Sequence, residues 1–171
     1  MDDPAPLAFS ALVLGLSGQL VREIHARVVQ QGFDDLRPAH GFAFVRISWG
    51  GATTADLAEH LGVTKQAAAQ SVEELVRKGY VVRRPHPHDA RARLLELTET
   101  GWAATRAADR AARDAVAPWR ETLGEARFGE LVADLVRIAP RGLGPGPGPG
   151  SGPGPGSEPR PGSAPGPARP V

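Results

Sequence analysis

Residues 53–79 contain two short amphipathic helices joined by a turn that contains one glycine, and this arrangement restricts the fold more than any other feature of the chain. Thr53 is a residue type that caps helix N-termini, and Gly62 ends the first helix. The second helix begins after Thr64 and ends at Gly79. Two short helices joined by a glycine-containing turn of about three or four residues form a helix-turn-helix. The sequence therefore predicts a domain built around this motif.

The apolar residues of the two helices fall on one side of each. Asp56 stands at the third helical position of the first helix, as in a capping box. We expect the apolar sides to be buried against the rest of the domain. They consist of Leu57, Ala58 and Leu61 in the first helix, and of Ala68, Val72, Leu75 and Val76 in the second.

Two short strands follow and complete a winged helix. Residues 80–84 and 93–97 have the amino-acid composition of short strands. Residues 85–90 lie between them and include two prolines, which are not expected inside a paired strand, so we predict a turn-rich loop there. The predicted fold class is mainly α with a small β-wing.

Amphipathic helices flank the winged helix on both sides. Residues 7–31 and 38–48 precede it; Thr98 caps a helix that we expect to end where Pro118 interrupts it, and residues 123–138 form a last helix. Long apolar stripes at both ends need a surface beyond the small core, so we predict a homodimer with dimerisation helices at about 7–31 and 102–139. The alternative is that both ends fold back on their own winged helix. The stripes are Leu12, Leu16, Leu20, Ile24 and Val28; Phe42, Val45 and Trp49; and Phe128, Leu131, Leu135 and Ile138.

Polar residues cluster at the start of the second helix of the helix-turn-helix, where a helix that enters the major groove of DNA contacts base edges. Gln pairs with adenine, and Lys favours guanine or a phosphate. Glu73 and Glu74 would repel phosphates, so the N-terminal end should lie deepest. Each polar residue alone is compatible with ordinary helix surface, but together they favour DNA binding. They are Thr64, Lys65, Gln66, Gln70 and Ser71.

The chain has a formal net charge of only +1, yet residues 77–93 hold six basic residues and one acidic residue. This indicates a local anion-binding surface, with a solvated charged strand pair as the alternative. At the hairpin tip, Arg91 or Arg93 can enter a minor groove. Asp89 can fix the Arg91 guanidinium by an ion pair, or can be a simple turn residue. In the opposite strand, Arg83 and Arg84 would contact flanking phosphates.

Residues 53–101 resemble the winged helix of the MarR family (multiple-antibiotic-resistance regulators). The matching features are the helix-turn-helix, the Lys78-Gly79-Tyr80 junction, the Asp-x-Arg wing and the Leu97-Thr98-Glu99-x-Gly101 exit. The resemblance implies a dimeric transcription regulator, by expectation a repressor, that binds a pseudo-palindromic operator. It implies groove insertion at Arg91 with Asp89 as its anchor. It also implies release of DNA by a small, often aromatic or phenolic, ligand bound between the dimerisation and DNA-binding regions.

No ligand site follows from the residues themselves. The aromatic residues that can line a pocket, or simply form core, are Phe42, Phe44, Trp49 and Trp102. The polar residues of the first two helices are scattered: His25, His40 and Arg46.

Other function classes are disfavoured. The chain has no cysteine, which excludes disulfides, thiolate metal sites and cysteine-based redox sensing. The segment His86-Pro87-His88-Asp89 lacks the spacing of a metallohydrolase site, and nearby cations oppose a metal. Because the chain lacks a phosphate-binding glycine loop and a nucleophile elbow, we predict no enzyme, cofactor or metal. A winged helix that binds a protein instead of DNA is the alternative function.

Residues 140–171 hold 10 of the chain's glycines and 11 of its prolines. Such a segment cannot bury a core, so we predict a folded domain over 1–139 and a disordered Gly/Pro-rich tail over 140–171. No apolar run approaches the ~20 residues of a membrane span, and the acidic start lacks the positive charge of a secretory signal. We therefore expect a cytoplasmic protein without membrane contact.

Overall fold

The computed structural model describes residues 6–87 and 89–139. The segment 140–171, for which the sequence predicts a disordered tail, lies outside the described residues. Four helices precede a β-hairpin and two helices follow it, which confirms the predicted fold class. The elements are α1 (Pro6–Gln30), α2 (Pro38–Ser48), α3 (Thr54–Leu61), α4 (Lys65–Arg77), β1 (Val81–His86), β2 (Asp89–Leu97), α5 (Glu99–Leu123) and α6 (Glu125–Ile138).

Side-chain caps define the helix-turn-helix of α3 and α4. The backbone N–H of Asp56 donates to Thr53 Oγ1 at 3.2 Å, and the N–H of Thr53 donates to the Asp56 carboxylate at 2.8 Å, which is the predicted capping box. The second of these bonds lowers the pKa of Asp56 from its ordinary value. Gly62 ends α3 in the left-handed region, with φ +63°. Thr64 caps α4 by accepting a hydrogen bond from the N–H of Ala67 at 3.2 Å.

The core lies between α2, α3, α4, the start of α5 and the hairpin. The predicted burial of Leu57 on α3 and of Val72 and Leu75 on α4 is confirmed. The predicted apolar stripe of α2 does not face the core along its whole length, because Phe42 and Val45 are 50% and 43% exposed. Helix α2 is apolar on more than one side, so spacing alone does not identify the side that meets the core. The buried residues of α2 are His40, Ala43, Phe44, Ile47 and Ser48.

The hairpin strands extend further than predicted. Pro85 lies within β1 opposite Arg93, although the sequence placed it in a loop. Leu95 of β2 exchanges backbone hydrogen bonds of 3.2 and 2.7 Å with Ala52 on its other side, so its N–H and C=O point away from β1. Hydrogen-bonded and non-hydrogen-bonded pairs alternate along an antiparallel ladder, so the Pro85–Arg93 pair is also non-hydrogen-bonded. The missing N–H of the proline therefore costs the ladder nothing.

Helix α5 continues through Pro118 to Leu123, so the predicted end of the helix at this proline is wrong. A proline removes one N–H donor and crowds the preceding turn. The part of the helix before the proline is nevertheless held in place, because the alanine stripe of α5 is buried as far as Ala115. Beyond the proline, the hydroxyl of Thr122 donates to the carbonyl oxygen of Pro118 at 2.8 Å. The helix ends at Gly124, whose φ is +76°.

Burial is incomplete on the two terminal helices. The predicted stripe of α1 is buried at Val28 (6% exposed), whereas Leu12 is 59% exposed. On α6, Phe128 is buried, whereas Leu135 is 49% exposed. The chain by itself therefore leaves apolar surface on both helices uncovered. The exposed large apolar residues of α1 are Leu7, Phe9, Leu12, Val13, Leu14, Leu16 and Val29, and those of α6 are Leu131, Val132, Leu135, Val136 and Ile138.

Helix α1 is also long and apolar enough, by length and composition, to cross a membrane, with a mean hydropathy of 1.4 over an 18-residue stretch. This corrects the expectation that no apolar stretch approaches that length. Core helices of soluble proteins and N-terminal signal sequences share this length and composition. The second half of α1 carries Arg22, Glu23 and Arg27 and packs against α5.

Candidate nucleic-acid interface

The first half of α4 presents polar side chains to solvent. Lys65, Gln66 and Gln70 are exposed, and the two glutamines lie one turn apart on the same side of the helix. Ser71 is half-buried at the edge of this side. Thr64 is exposed, but its hydroxyl already serves as the cap of α4. The predicted set thus lies at one end of a helix whose opposite side is anchored in the core.

Both glutamates of α4 have cationic partners, which sequence analysis did not foresee. Arg83 of β1 donates to the two carboxylate oxygens of Glu73 at 2.6 and 3.3 Å. This hydrogen bond holds the pKa of Glu73 below its ordinary value. Glu74 accepts from Lys78 Nζ at 2.8 Å and from Arg37. The repulsion of phosphates expected from the two glutamates is therefore reduced.

The four arginines of the wing differ in what they contact. Arg83 is committed to α4, and Arg84 Nε lies 3.7 Å from a carboxylate oxygen of Glu96, an exposed pair that contributes little stability. Arg91 and Arg93 are exposed and form no ion pair within the described part of the chain. By the register of the strands, Arg83 and Arg93 lie on the same face of the hairpin. The charges that remain unpaired are those nearest the tip.

Arg91 lies in an excursion of β2. The pairing register jumps from Arg93 to Asp89, so residues 90–92 have no opposite residue in β1. Asp89 Oδ1 accepts a hydrogen bond from the backbone N–H of Arg91 at 2.8 Å, an Asx-turn contact. The predicted partner of Asp89 was the guanidinium of Arg91; the contact that forms is with the backbone. Asp89 therefore shapes the tip and leaves the guanidinium free.

A cavity of about 370 Å³ lies between α1, α2 and α5. Its size is in the range of small-molecule sites, roughly 300–1,000 Å³. Three of the four predicted aromatic residues line it (Phe42, Phe44 and Trp49), and of the three scattered polar residues only His25 does. Over residues 6–87 and 89–139, no three His, Asp or Glu side chains converge as a metal site requires. The polar lining consists of His25, Arg37, Ser48, Thr105 and Asp109.

His40 lies on α2 with its side chain 1% exposed. Its Nδ1 accepts a hydrogen bond from the backbone N–H of Arg37 at 3.1 Å, and its Nε2 lies 3.6 Å from the Glu74 carboxylate. Burial, with the cations Arg37 and Lys78, lowers the pKa of His40 to about 4. The imidazole is therefore neutral near pH 7.

This buried imidazole predicts a loss of stability in acid. The unfolded chain protonates His40 below its ordinary pKa of 6.5, whereas the folded chain resists protonation until about pH 4. The unfolded state thus binds more protons, and the stabilisation present above pH 6.5 is lost as the pH falls toward 4. From pH 7 to pH 5, we expect the free energy of unfolding, measured with urea, to fall by about 2 kcal/mol on this account. In His40→Gln this part of the pH dependence should vanish; an unchanged profile would contradict the assignment.

A comparison with known proteins gives a partial match to the family that the sequence motifs resemble. The family model described as MarR family matches residues 44–92. The chain is similar to the crystal structure of RV1404 from Mycobacterium tuberculosis, with 27% identity, 80% of this chain and 94% of that chain covered, and a TM-score of 0.62. No curated protein matches the chain significantly.

Two similar structures contain DNA. One is a mutant MarR from E. coli complexed with operator DNA, at 22% identity, 77% coverage of this chain, 93% of that chain and a TM-score of 0.62. The other is the transcriptional repressor CouR bound to a 23-mer DNA duplex. The two chains are 24% identical, 78% of this chain and 90% of that chain are covered, and the TM-score is 0.62. At this level of identity the likeness shows a shared fold.

Proposed function

We propose that this chain, whose winged helix matches the MarR family, is a transcription regulator that binds double-stranded DNA as a homodimer. One observation carries the proposal: the Arg83–Glu73 contact fixes the hairpin against α4, while the guanidinium groups of Arg91 and Arg93 beyond it have no ion-pair partner among the described residues. A helix with an exposed polar end beside a cationic hairpin tip fits a major groove and the flanking minor groove. The similar structures that contain DNA have this fold.

The roles proposed for the side chains follow from what each already contacts. Lys65, Gln66 and Gln70 are exposed on α4 and are proposed to contact bases and nearby phosphates. Arg83 is proposed to position the hairpin, since a phosphate would have to compete with Glu73 for its guanidinium. The remaining members of the proposed interface, as contacts or as positioning groups, are Thr64, Ser71, Arg84, Asp89, Arg91 and Arg93.

Arg91→Ala tests the wing directly. We expect the variant to bind DNA roughly 10- to 100-fold more weakly, which corresponds to about 1–3 kcal/mol for one groove contact, with its fold intact. Fluorescence anisotropy at about physiological salt, with a duplex that the wild-type protein selects, measures the change. Arg113→Ala is the matched control, because it removes the same charge from an exposed position on α5. Equal affinities of the two variants would remove Arg91 from the interface.

A second copy of the chain is the proposed cover for α1 and α6. Both helices expose several large apolar side chains, and a two-fold axis buries the same patch on both copies. A bilayer is a less suitable cover for α1, because its second half carries Arg22, Glu23 and Arg27 and already packs against α5. We therefore propose a cytoplasmic dimer without membrane contact.

The cavity between α1, α2 and α5 is the proposed site of a small effector. Its walls come from α1 and α5, which also belong to the proposed dimer layer, and from α2, which packs on α3 and β2. An occupant thus touches both the dimer layer and the support of the winged helix. We propose that the protein represses transcription in the cell and that an effector in the cavity relieves this repression.

A further inference from the structure

Arg37 connects the cavity to α4. It lines the cavity and precedes α2 as its N-cap residue. Its guanidinium donates to the carboxylate of Glu74 on α4 and lies 3.3 and 3.4 Å from Nε2 of His40. The Arg37 side chain is 61% exposed, so it can reorient without disturbing the core.

Glu74 belongs to a polar cluster that holds α4 against the segment before α2. Lys78 Nζ donates to Glu74 at 2.8 Å and also to the backbone carbonyl oxygen of Asp35. The hydroxyl of Tyr80 donates to Asp35 Oδ1 at 2.7 Å. The Glu74 side chain is only 19% exposed, so the loss of Arg37 would leave a largely desolvated carboxylate with one fewer charged partner. The contact of α4 with the segment before α2 therefore depends on the orientation of the Arg37 guanidinium.

The cavity suits an apolar molecule that carries one negative charge. Its walls are mostly aliphatic and aromatic, and Arg37 is the permanently charged cation among the lining residues. The hydroxyls of Ser48 and Thr105 already donate to backbone carbonyl oxygens. Asp109 also lies in the wall, but Arg113 already pairs with its carboxylate. A carboxylate in the cavity would attract Arg37, because the planar guanidinium fork pairs with carboxylates in a bidentate geometry.

We propose that an organic anion in the cavity competes with Glu74 for Arg37, and that this competition couples the cavity to α4. When the ligand takes the guanidinium, Glu74 loses a partner and α4 is held less firmly. By linkage, DNA that requires the firmly held α4 weakens ligand binding by the same factor as the ligand weakens DNA binding. The DNA part of this inference rests on the proposed function; the competition for Arg37 does not.

Isothermal titration calorimetry of the full chain without DNA tests the competition. The probes are 2-naphthoate and its neutral counterpart 2-naphthamide, which have nearly the same shape and differ in charge. We expect naphthoate to bind at least about tenfold more tightly than the amide, and Arg37→Gln to abolish this difference. Glu74→Gln should raise the naphthoate affinity several-fold, because the competing carboxylate is gone. Glu73→Gln is the matched control and should leave the naphthoate affinity unchanged, since Glu73 pairs with Arg83 and not with Arg37.

Three results of the calorimetry would overturn the proposal. These are no binding of naphthoate at millimolar concentration, equal binding of acid and amide, or an equal response of Glu74→Gln and Glu73→Gln. A second titration adds DNA: naphthoate should weaken DNA binding of the wild-type protein but not of Arg37→Gln. A wild-type protein that binds DNA and ignores bound naphthoate would overturn the coupling. A chain that binds no DNA would refute the proposed function alone, because the calorimetry still decides the competition.

Discussion

Gly101→Ala should lower the free energy of unfolding by about 3 kcal/mol, although alanine is normally the better helix former. Gly101 lies in the first turn of α5 and is buried. A Cβ at this position would overlap the backbone carbonyl oxygen of Tyr80 and lie 3.2 Å from a methyl group of Leu97. The carbonyl cannot yield easily, because it accepts a hydrogen bond of 3.0 Å from the N–H of Thr98.

The matched control for this prediction is Gly41→Ala. Gly41 lies inside α2, and a Cβ there would meet no atom within 4 Å. Alanine should therefore be neutral or stabilise the protein by up to about 1 kcal/mol. Urea denaturation measures both variants. Similar stabilities for the two would mean that the contact between the start of α5 and the α4–β1 junction does not restrict position 101.

Leu135→Asp should convert the proposed dimer to a monomer and weaken DNA binding by roughly 100-fold or more. Leu135 is an exposed apolar residue of α6, and the two-fold axis of a dimer would place a carboxylate in the interface from each copy. A monomer has only one winged helix for an inverted repeat, so the gain from simultaneous binding of two half-sites is lost. Sedimentation velocity gives the oligomeric state, and anisotropy gives the affinity.

Ala133→Asp is the matched control on the same helix. At about 100° per residue, Ala133 lies on the side of α6 that carries Glu130 and Arg137, opposite the apolar side. The Ala133→Asp substitution introduces the same charge and should leave the proposed dimer intact. A wild-type protein that sediments as a monomer would contradict the dimer outright. Equal behaviour of the two aspartate variants would move the interface away from the apolar side of α6.

Features set by neighbouring residues were predictable from the sequence. Thr53 and Asp56 lie three positions apart and cap α3 reciprocally, and Gly62 is the residue that a left-handed cap requires. Two of the segments that resemble the MarR family, the Lys78-Gly79-Tyr80 junction and the Leu97-to-Gly101 exit, pack against each other in the structure. At the two caps of α3, short-range geometry restricts the residue type whatever the remainder of the chain does.

Features that depend on distant partners were not predictable. Pro85 is tolerated in β1 because Ala52 pairs with the other edge of β2, and no pattern near Pro85 signals this. The sequence likewise treated Glu73 as a source of repulsion, because its partner Arg83 lies ten positions later on another element. Arg37 escaped notice for the same reason: its contact with Glu74 spans 37 positions.

The most direct test of the account is the selection of bound duplexes from a random DNA pool with the purified full chain at about physiological salt. We expect an enriched inverted repeat whose half-sites lie about one helical turn apart, because two winged helices related by a two-fold axis contact the same face of the duplex. Binding to that repeat should weaken steeply as salt rises. A pool without any enriched motif would contradict sequence-specific DNA binding, and an enriched single half-site would contradict the dimer.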